Sequence, residues 1–145
     1  MSVWVGVDPG EKRIGCARGD SLGVLATPRA VVGSKEELLA WFLQVDLEFD
    51  LAGVVVGMPR NMDGSFGPMA IRSLVLVRWI REQVDFPVIL WDERLTSVQA
   101  GRLGGESGLD EKAAAILLQC YLDAGTPDHP DPPGLIEAAD EADRR

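Results

Sequence analysis

Acidic side chains follow two apolar segments of the chain that have the composition of buried strands. Asp8 comes directly after residues 3–7, and the pair Asp92 and Glu93 comes directly after residues 88–91. In open α/β sheets, ligands gather at the carboxyl edge of the strands, so acids at these positions are placed where chemistry can occur. Because Asp92 and Glu93 are consecutive, they point to opposite faces of an extended strand, and only one of them can share a face with Asp8.

A third acid, Asp110, opens the last segment of strong helical periodicity. Ala113, Ala114 and Leu117 follow it three, four and seven residues on, so Asp110 lies on the same helical stripe as residues expected to pack against a sheet. Three converging carboxylates repel one another unless a cation lies between them, and oxygen ligands suit Mg²⁺ or Mn²⁺. One or two such ions can activate a water molecule and stabilise the leaving oxygen of a phosphodiester.

Each acid also has a purely structural interpretation. Asp8 precedes a Pro-Gly pair and is a favourable turn residue. Asp110 can cap its helix, and Asp92, Glu93 and Arg94 together are typical of an exposed charge cluster. Only the expected convergence of the three acids at one edge favours chemistry over these alternatives.

Polar side chains near the same edge could contact a polyanion. The segment 57–67, GMPRNMDGSFG, contains three glycines that permit tight turns, and Arg60 and Asn61 offer hydrogen-bond donors, although an Asx-type turn at Asn61 explains the same residues equally well. The candidate nucleic-acid contacts are Lys12, Arg13, Arg60, Asn61 and Arg94.

The elements that must position these residues follow from the order of apolar segments. Three meandering strands precede an alternating α-β-α-β-α pattern, which predicts an α/β fold with a mixed five-stranded sheet and helices on both faces. Three strands are antiparallel, two more are parallel, and strands one, four and five lie side by side. We expect residues 1–125 to form one domain and residues 126–145, rich in Pro and acids, to form a flexible tail.

Composition excludes several classes of function. No stretch approaches the roughly 20 apolar residues of a membrane span, and no secretory h-region follows Met1, so we expect a cytoplasmic protein without membrane contact. The single histidine, His129, lies among prolines, and Cys16 and Cys120 have no metal-binding spacing, which disfavours a Ser-His-Asp triad and a zinc site. The net charge of −9 argues against non-specific coating of nucleic acid, but a bound cation would invert the local field.

Four motifs together resemble the YqgF/RuvX family, whose members are described as pre-16S rRNA nucleases or Holliday-junction-resolvase-like proteins. The motifs occur in the family's order and are GVDPGEKRIGCA, VVVGMPRNMDGS, WDERLTSVQA and LDEKAAAILLQCYLD. The resemblance covers residues 3–123 and implies a ribonuclease-H-like fold and cleavage of nucleic acid that depends on a divalent metal. It also implies that the acidic ligands are Asp8, Glu93 and Asp110, with Asp8 bridging the metals.

The resemblance implies a nuclease that acts on RNA, endo- or exonucleolytically, in processing of the 16S rRNA precursor during ribosome biogenesis. Pre-ribosomal particles are the expected partners, and the chain would act as a monomer or homodimer. One alternative is a DNA nuclease that resolves Holliday junctions, which needs two active sites and therefore a dimer. A second is a nucleic-acid- or ribosome-binding module without catalysis. A nucleotide-binding lobe is disfavoured, because that function needs two such lobes and 145 residues supply one.

Overall fold

A mixed five-stranded sheet forms the centre of the computed structural model, which describes residues 2–61, 63–93 and 110–144, the last range without the side chains of its first two residues. The strands are β1 (Val3–Pro9), β2 (Ile14–Gly19), β3 (Ala26–Val32), β4 (Leu51–Met58) and β5 (Val88–Asp92). The helices are α1 (Lys35–Phe49), α2 (Pro68–Gln83), α3 (Asp110–Asp123) and α4 (Pro133–Asp143). The predicted helix after β5, around residues 94–103, lies outside the described residues.

The strand order is β3-β2-β1-β4-β5. The first three strands pair antiparallel, whereas β4 pairs parallel with β1 and with β5. This confirms the predicted sheet, with strands one, four and five side by side. The parallel pairs follow from helical crossovers, which return the chain to the same end of the sheet.

Both faces of the sheet are covered, which explains why its central strands are apolar without alternation. The larger core lies under α1, α2 and α4 and takes Val5 and Val7 from β1. The smaller core lies under α3 and takes Val55 from β4 and Trp91 from β5. Successive residues of one strand therefore point alternately into the two cores.

Helix α1 begins with the predicted cap, with one difference. The Ser34 hydroxyl accepts a hydrogen bond from the Glu37 amide at 3.1 Å. The Glu37 carboxylate accepts from the Gly33 amide at 2.7 Å, not from the Ser34 amide as a capping box requires. The carboxylate therefore fixes Gly33, which lies between the end of β3 and the cap residue Ser34.

The C-terminal segment differs from the expected flexible tail. Residues 133–143 form α4, whose Leu135 is completely buried in the larger core with Ala139 one turn further on. The Arg81 guanidinium donates to both carboxylate oxygens of Asp131, at 2.7 and 3.1 Å, and to the carbonyl of Val88. A short apolar stripe and this ion pair attach the segment to α2 and β5, although its prolines and acids are typical of a tail.

Among the described residues, no helix is long and apolar enough to cross a membrane.

Candidate active site

The candidate site lies at the carboxyl edge of the parallel strands, on the face that α3 covers. In the sheet register Val7 is opposite Val56, and Gly57 is opposite Trp91, so Asp8, Gly57 and Trp91 follow one another across three adjacent strands. Trp91 packs in the core under α3. Because side chains alternate along a strand, Asp8 and the open position at Gly57 face the same side.

Asp8 and Glu93 meet at this edge. Glu93 directly follows β5, two residues after Trp91, and its carboxyl group forms a side-chain hydrogen bond with Asp8. Strands β1 and β5 are separated by β4, and thus by about 9–10 Å at the usual strand spacing. The Glu93 side chain therefore reaches over β4 to Asp8.

Gly57 makes this crossing possible. A Cβ atom at position 57 would lie 2.5 Å from Glu93 Oε1 and 3.1 Å from both Cγ and Cδ of the same side chain. The sequence predicts that Gly57 permits a turn, but Gly57 lies inside β4, where the missing side chain provides space for Glu93. A glycine near the end of β4, beside a strand that is followed directly by Glu, is the sequence signal for this role.

The surroundings of Glu93 favour the protonated form of its carboxyl group. Burial, the hydrogen bond with Asp8 and the negative charges of Asp8 and Asp92 raise its pKa from 4.5 to about 9. Two carboxylates at one partly buried position cannot both carry a charge unless a positive charge joins them. A proton on Glu93 would remove the repulsion, and a divalent cation bound by the same oxygens would remove it as well. The pair is thus an oxygen donor set of the kind that Mg²⁺ and Mn²⁺ prefer.

Asp92 lies on the other face of the sheet. Asp92 lies two residues after Leu90, which belongs to the larger core, so the two side chains point to the same face. Only 7% of the surface of Asp92 is exposed. Its Oδ2 is 3.6 Å from Nη1 of Arg60. The two consecutive acids therefore have different environments, and Glu93 is the one that shares a face with Asp8.

Helix α3 brings the backbone of Asp110 to the level of Asp8. A Cβ at Gly6 would lie 2.7 Å from Leu118 Cβ and 2.9 Å from the Ala114 carbonyl oxygen, so α3 crosses β1 at Gly6 with almost no separation. Further towards the start of β1, the helix has reached Leu122, which lies near Gly19. The helix thus runs opposite to β1, with its first residue towards the strand's carboxyl end.

The distance from Ala114 to Asp110 along α3 matches the distance from Gly6 to Asp8 along β1. One helical turn separates Asp110 from Ala114, a rise of about 6 Å, and Asp8 lies two residues after Gly6, a rise of about 6.6 Å.

Ala114 and Leu117 are buried, as the predicted stripe requires, although Ala113 is exposed. The Asp110 side chain lies outside the described part of the structure, and the residues that are described contain no cluster of three or more acidic, Cys or His side chains suited to a metal ion.

The loop after β4 uses its polar groups internally. Arg60 donates from Nε to the Gly64 carbonyl at 2.6 Å, and its guanidinium carbon lies 4.3 Å from the centre of the Phe66 ring. Asn61 donates from Nδ2 to the Ser65 hydroxyl at 2.9 Å, and the two residues also pair through their backbones. The turn interpretation of Asn61 therefore describes its contacts, while Arg60 both braces the loop and pairs with Asp92.

The other candidate cations have different positions. Lys12 and Arg13 are exposed in the turn between β1 and β2, which begins two residues after Asp8. Arg94 lies outside the described residues. The structure therefore brings Asp8, Glu93, Lys12 and Arg13 to one edge of the sheet, with Arg60 and Asn61 in the loop after the neighbouring strand.

Comparison with known proteins identifies the chain's relatives. The sequence profile of the RuvX family, described as Holliday junction resolvase, matches residues 2–124. A protein of Halothermothrix orenii is 37% identical over 129 residues, which cover 81% of this chain and 92% of the relative. A protein of Symbiobacterium thermophilum is 38% identical over 130 residues, which cover 82% and 90%. Both relatives carry the provisional name pre-16S rRNA nuclease.

A solved structure supports the fold. The RuvC protein of T. thermophilus, solved in complex with a Holliday junction substrate, superposes with a TM-score of 0.50 over 87% of this chain and 98% of its own. At 18% sequence identity this likeness concerns the fold alone. It confirms the expected ribonuclease-H-like α/β architecture.

Proposed function

Because the chain belongs to the RuvX family, we propose that it is a nuclease that hydrolyses phosphodiester bonds in the 16S rRNA precursor. The names of its relatives support this substrate, and the regions aligned with those relatives cover most of this chain. The observation that carries the proposal is the contact between Asp8 and Glu93 across Gly57. A protonated, partly buried carboxyl pair at the carboxyl edge of a parallel sheet has no evident structural purpose, but it suits a cation site.

Asp8, Glu93 and Asp110 are the proposed ligands of Mg²⁺ or Mn²⁺. A divalent ion at these oxygens would supply a nucleophilic hydroxide near neutral pH and neutralise charge on the leaving oxygen. Asp8 belongs to β1, which pairs with β2 on one side and β4 on the other, so the backbone that carries its carboxylate is fixed. Glu93 would bind the cation through its deprotonated carboxylate, and the backbone of Asp110 lies at the start of the helix that packs over β1.

The chain's other residues restrict the geometry of the site. Gly57 leaves room for the Glu93 side chain over β4, and Gly6 allows α3 to lie directly on β1. These two close approaches limit the distances of Glu93 and of the first residue of α3 from Asp8. A carboxylate displaced by about 1 Å can cost a hundredfold in rate, so both glycines support the proposed chemistry.

Incubation of the protein with labelled substrates, with and without Mn²⁺, tests the function. The substrates are precursor 16S rRNA, single-stranded RNA, single-stranded DNA and a four-way DNA junction. We expect cleavage of the precursor in Mn²⁺ or Mg²⁺ and none in EDTA. An RNA that stays intact with either ion would contradict the proposal.

Cleavage confined to the four-way junction would favour the alternative of a junction-resolving nuclease, to which the description of the family profile points. That activity needs two sites facing two strands, so it also requires a dimer. Light scattering under the assay conditions separates these outcomes, because a monomer that cleaves RNA agrees only with the first function.

A further inference from the structure

A basic groove opens beside the turn that follows Asp8. It has a volume of about 230 Å³ and lies between the β1–β2 turn, the start of α1 and the first turns of α2. Among the described residues that line it, four are basic, namely Lys12, Arg13, Lys35 and Arg72, and one, Glu11, is acidic. In a chain with a net charge of −9, such a concentration of positive charge is unusual.

Two of these cations are held in place by α1 and α2. The Lys35 ammonium lies 5.0 Å from the centre of the Trp79 ring. Arg72 donates from Nη2 to the Glu11 carbonyl at 3.2 Å, which fixes its guanidinium against the turn. Each group keeps hydrogen-bond donors that these contacts do not use, because an ammonium has three and a guanidinium has five. Both side chains are exposed, so those donors can reach a ligand.

The groove and the candidate active site share one strand end. Pro9, which lines the groove, is bonded to Asp8, so the two sites begin one residue apart. Asp8 points to the α3 side, whereas the groove lies on the α1 and α2 side of the same edge. A polyanion bound over Asp8 can reach the groove only by passing over this edge of the sheet, a path that starts at Pro9.

We propose that this groove binds the phosphodiester backbone of the substrate strand beside the bond that is cut, with Lys35 and Arg72 as phosphate contacts. The inference rests on the proposed nuclease function. Neither residue belongs to a motif that suggests binding, since Lys35 follows a helix cap and Arg72 lies within α2. Only the fold brings them to the turn that carries Lys12 and Arg13.

The double variant Lys35→Gln/Arg72→Gln tests the groove. Each phosphate contact contributes about −0.7 to the slope of log K against log salt for single strands. Loss of two contacts should make that slope about 1.4 less steep and weaken binding about 25-fold at 0.1 M salt. Fluorescence anisotropy of a labelled single-stranded RNA, titrated in EDTA at several salt concentrations, measures both quantities. The matched control is Arg29→Gln/Arg144→Gln, which removes two exposed charges that do not line the groove.

The control should bind with the affinity and salt slope of the unchanged chain. In Mn²⁺, the groove variant should show a KM for RNA cleavage raised by the same factor and an unchanged kcat. The groove proposal would be overturned if the two double variants bound RNA with equal affinity, whether or not both bound more weakly than the unchanged chain. Failure of the nuclease function would look different, because the unchanged chain would then cleave no RNA, whereas the comparison of salt slopes in EDTA does not depend on cleavage.

Discussion

Replacement of Gly57 by Ala tests the geometry of the acidic pair. The new Cβ would lie 2.5 Å from Glu93 Oε1, and an ordinary van der Waals contact begins near 3.4 Å. The Glu93 carboxylate must therefore move by about 0.9 Å, a displacement that can reduce the rate about a hundredfold. The atom that must move is the end of a flexible side chain, so folding is affected little.

The stability terms for Gly57→Ala nearly cancel. Glycine in a strand costs about 0.5–1 kcal/mol relative to alanine, and an off-rotamer side chain costs a similar amount. We therefore expect a change in the free energy of unfolding of about 1 kcal/mol or less, together with a kcat about a hundredfold lower. Urea unfolding and single-turnover cleavage of RNA in Mn²⁺ measure the two effects.

Gly53→Ala is the matched control, because it makes the same substitution on the same strand and the same face. A Cβ at Gly53 would lie 2.4–2.9 Å from three atoms of the rigid Trp4 ring, away from the acids. Overpacking there should cost about 1–3 kcal/mol of stability while the folded protein keeps its kcat. A Gly57→Ala variant with full activity, or with the same losses as Gly53→Ala, would refute the proposed role of Gly57.

Two further predictions concern stability. In EDTA the folded chain binds a proton at Glu93 with a pKa of about 9, above the unfolded value of 4.5. The contribution of this protonation to folding stability is therefore complete below pH 4.5 and is lost as pH rises towards 9. We expect Tm to fall over that pH range and the Glu93→Gln variant to show a flatter dependence of Tm on pH. Equal slopes of Tm against pH in the two proteins would contradict this. Leu135→Ala should lower the free energy of unfolding by about 2–5 kcal/mol in urea, because Leu135 is completely buried. A loss below about 0.5 kcal/mol would mean that α4 does not stabilise the domain.

The sheet could be predicted because its determinants are local. Continuous β-branched runs mark covered strands, and the order of strands and helices leaves few right-handed topologies. The meeting of Asp8 with one of two consecutive acids follows from the alternation of side chains along a strand. The choice of Glu93 over Asp92 came from the family resemblance, and the structure adds the physical reason, which is the vacant space over Gly57.

Other features depend on contacts that are distant in sequence. The role of Gly57 requires the register of β4 against β5, and the pairing of Asp92 with Arg60 requires the path of the loop after β4. The final helix was not predicted because prolines precede it and four of its 11 residues are acidic, although Leu135 packs in the core. The basic groove joins three segments that no periodicity relates.

Cleavage of precursor 16S rRNA by Asp8→Asn, compared with the unchanged chain in Mn²⁺, tests the central claim most directly. Asparagine keeps the shape of the side chain and a hydrogen-bond acceptor for Glu93 but removes the negative charge. We predict that cleavage is abolished while the circular dichroism spectrum and cooperative unfolding are retained. Undiminished Mn²⁺-dependent cleavage would contradict the assignment of Asp8 as a metal ligand, and a variant that fails to fold would assign Asp8 to the turn instead.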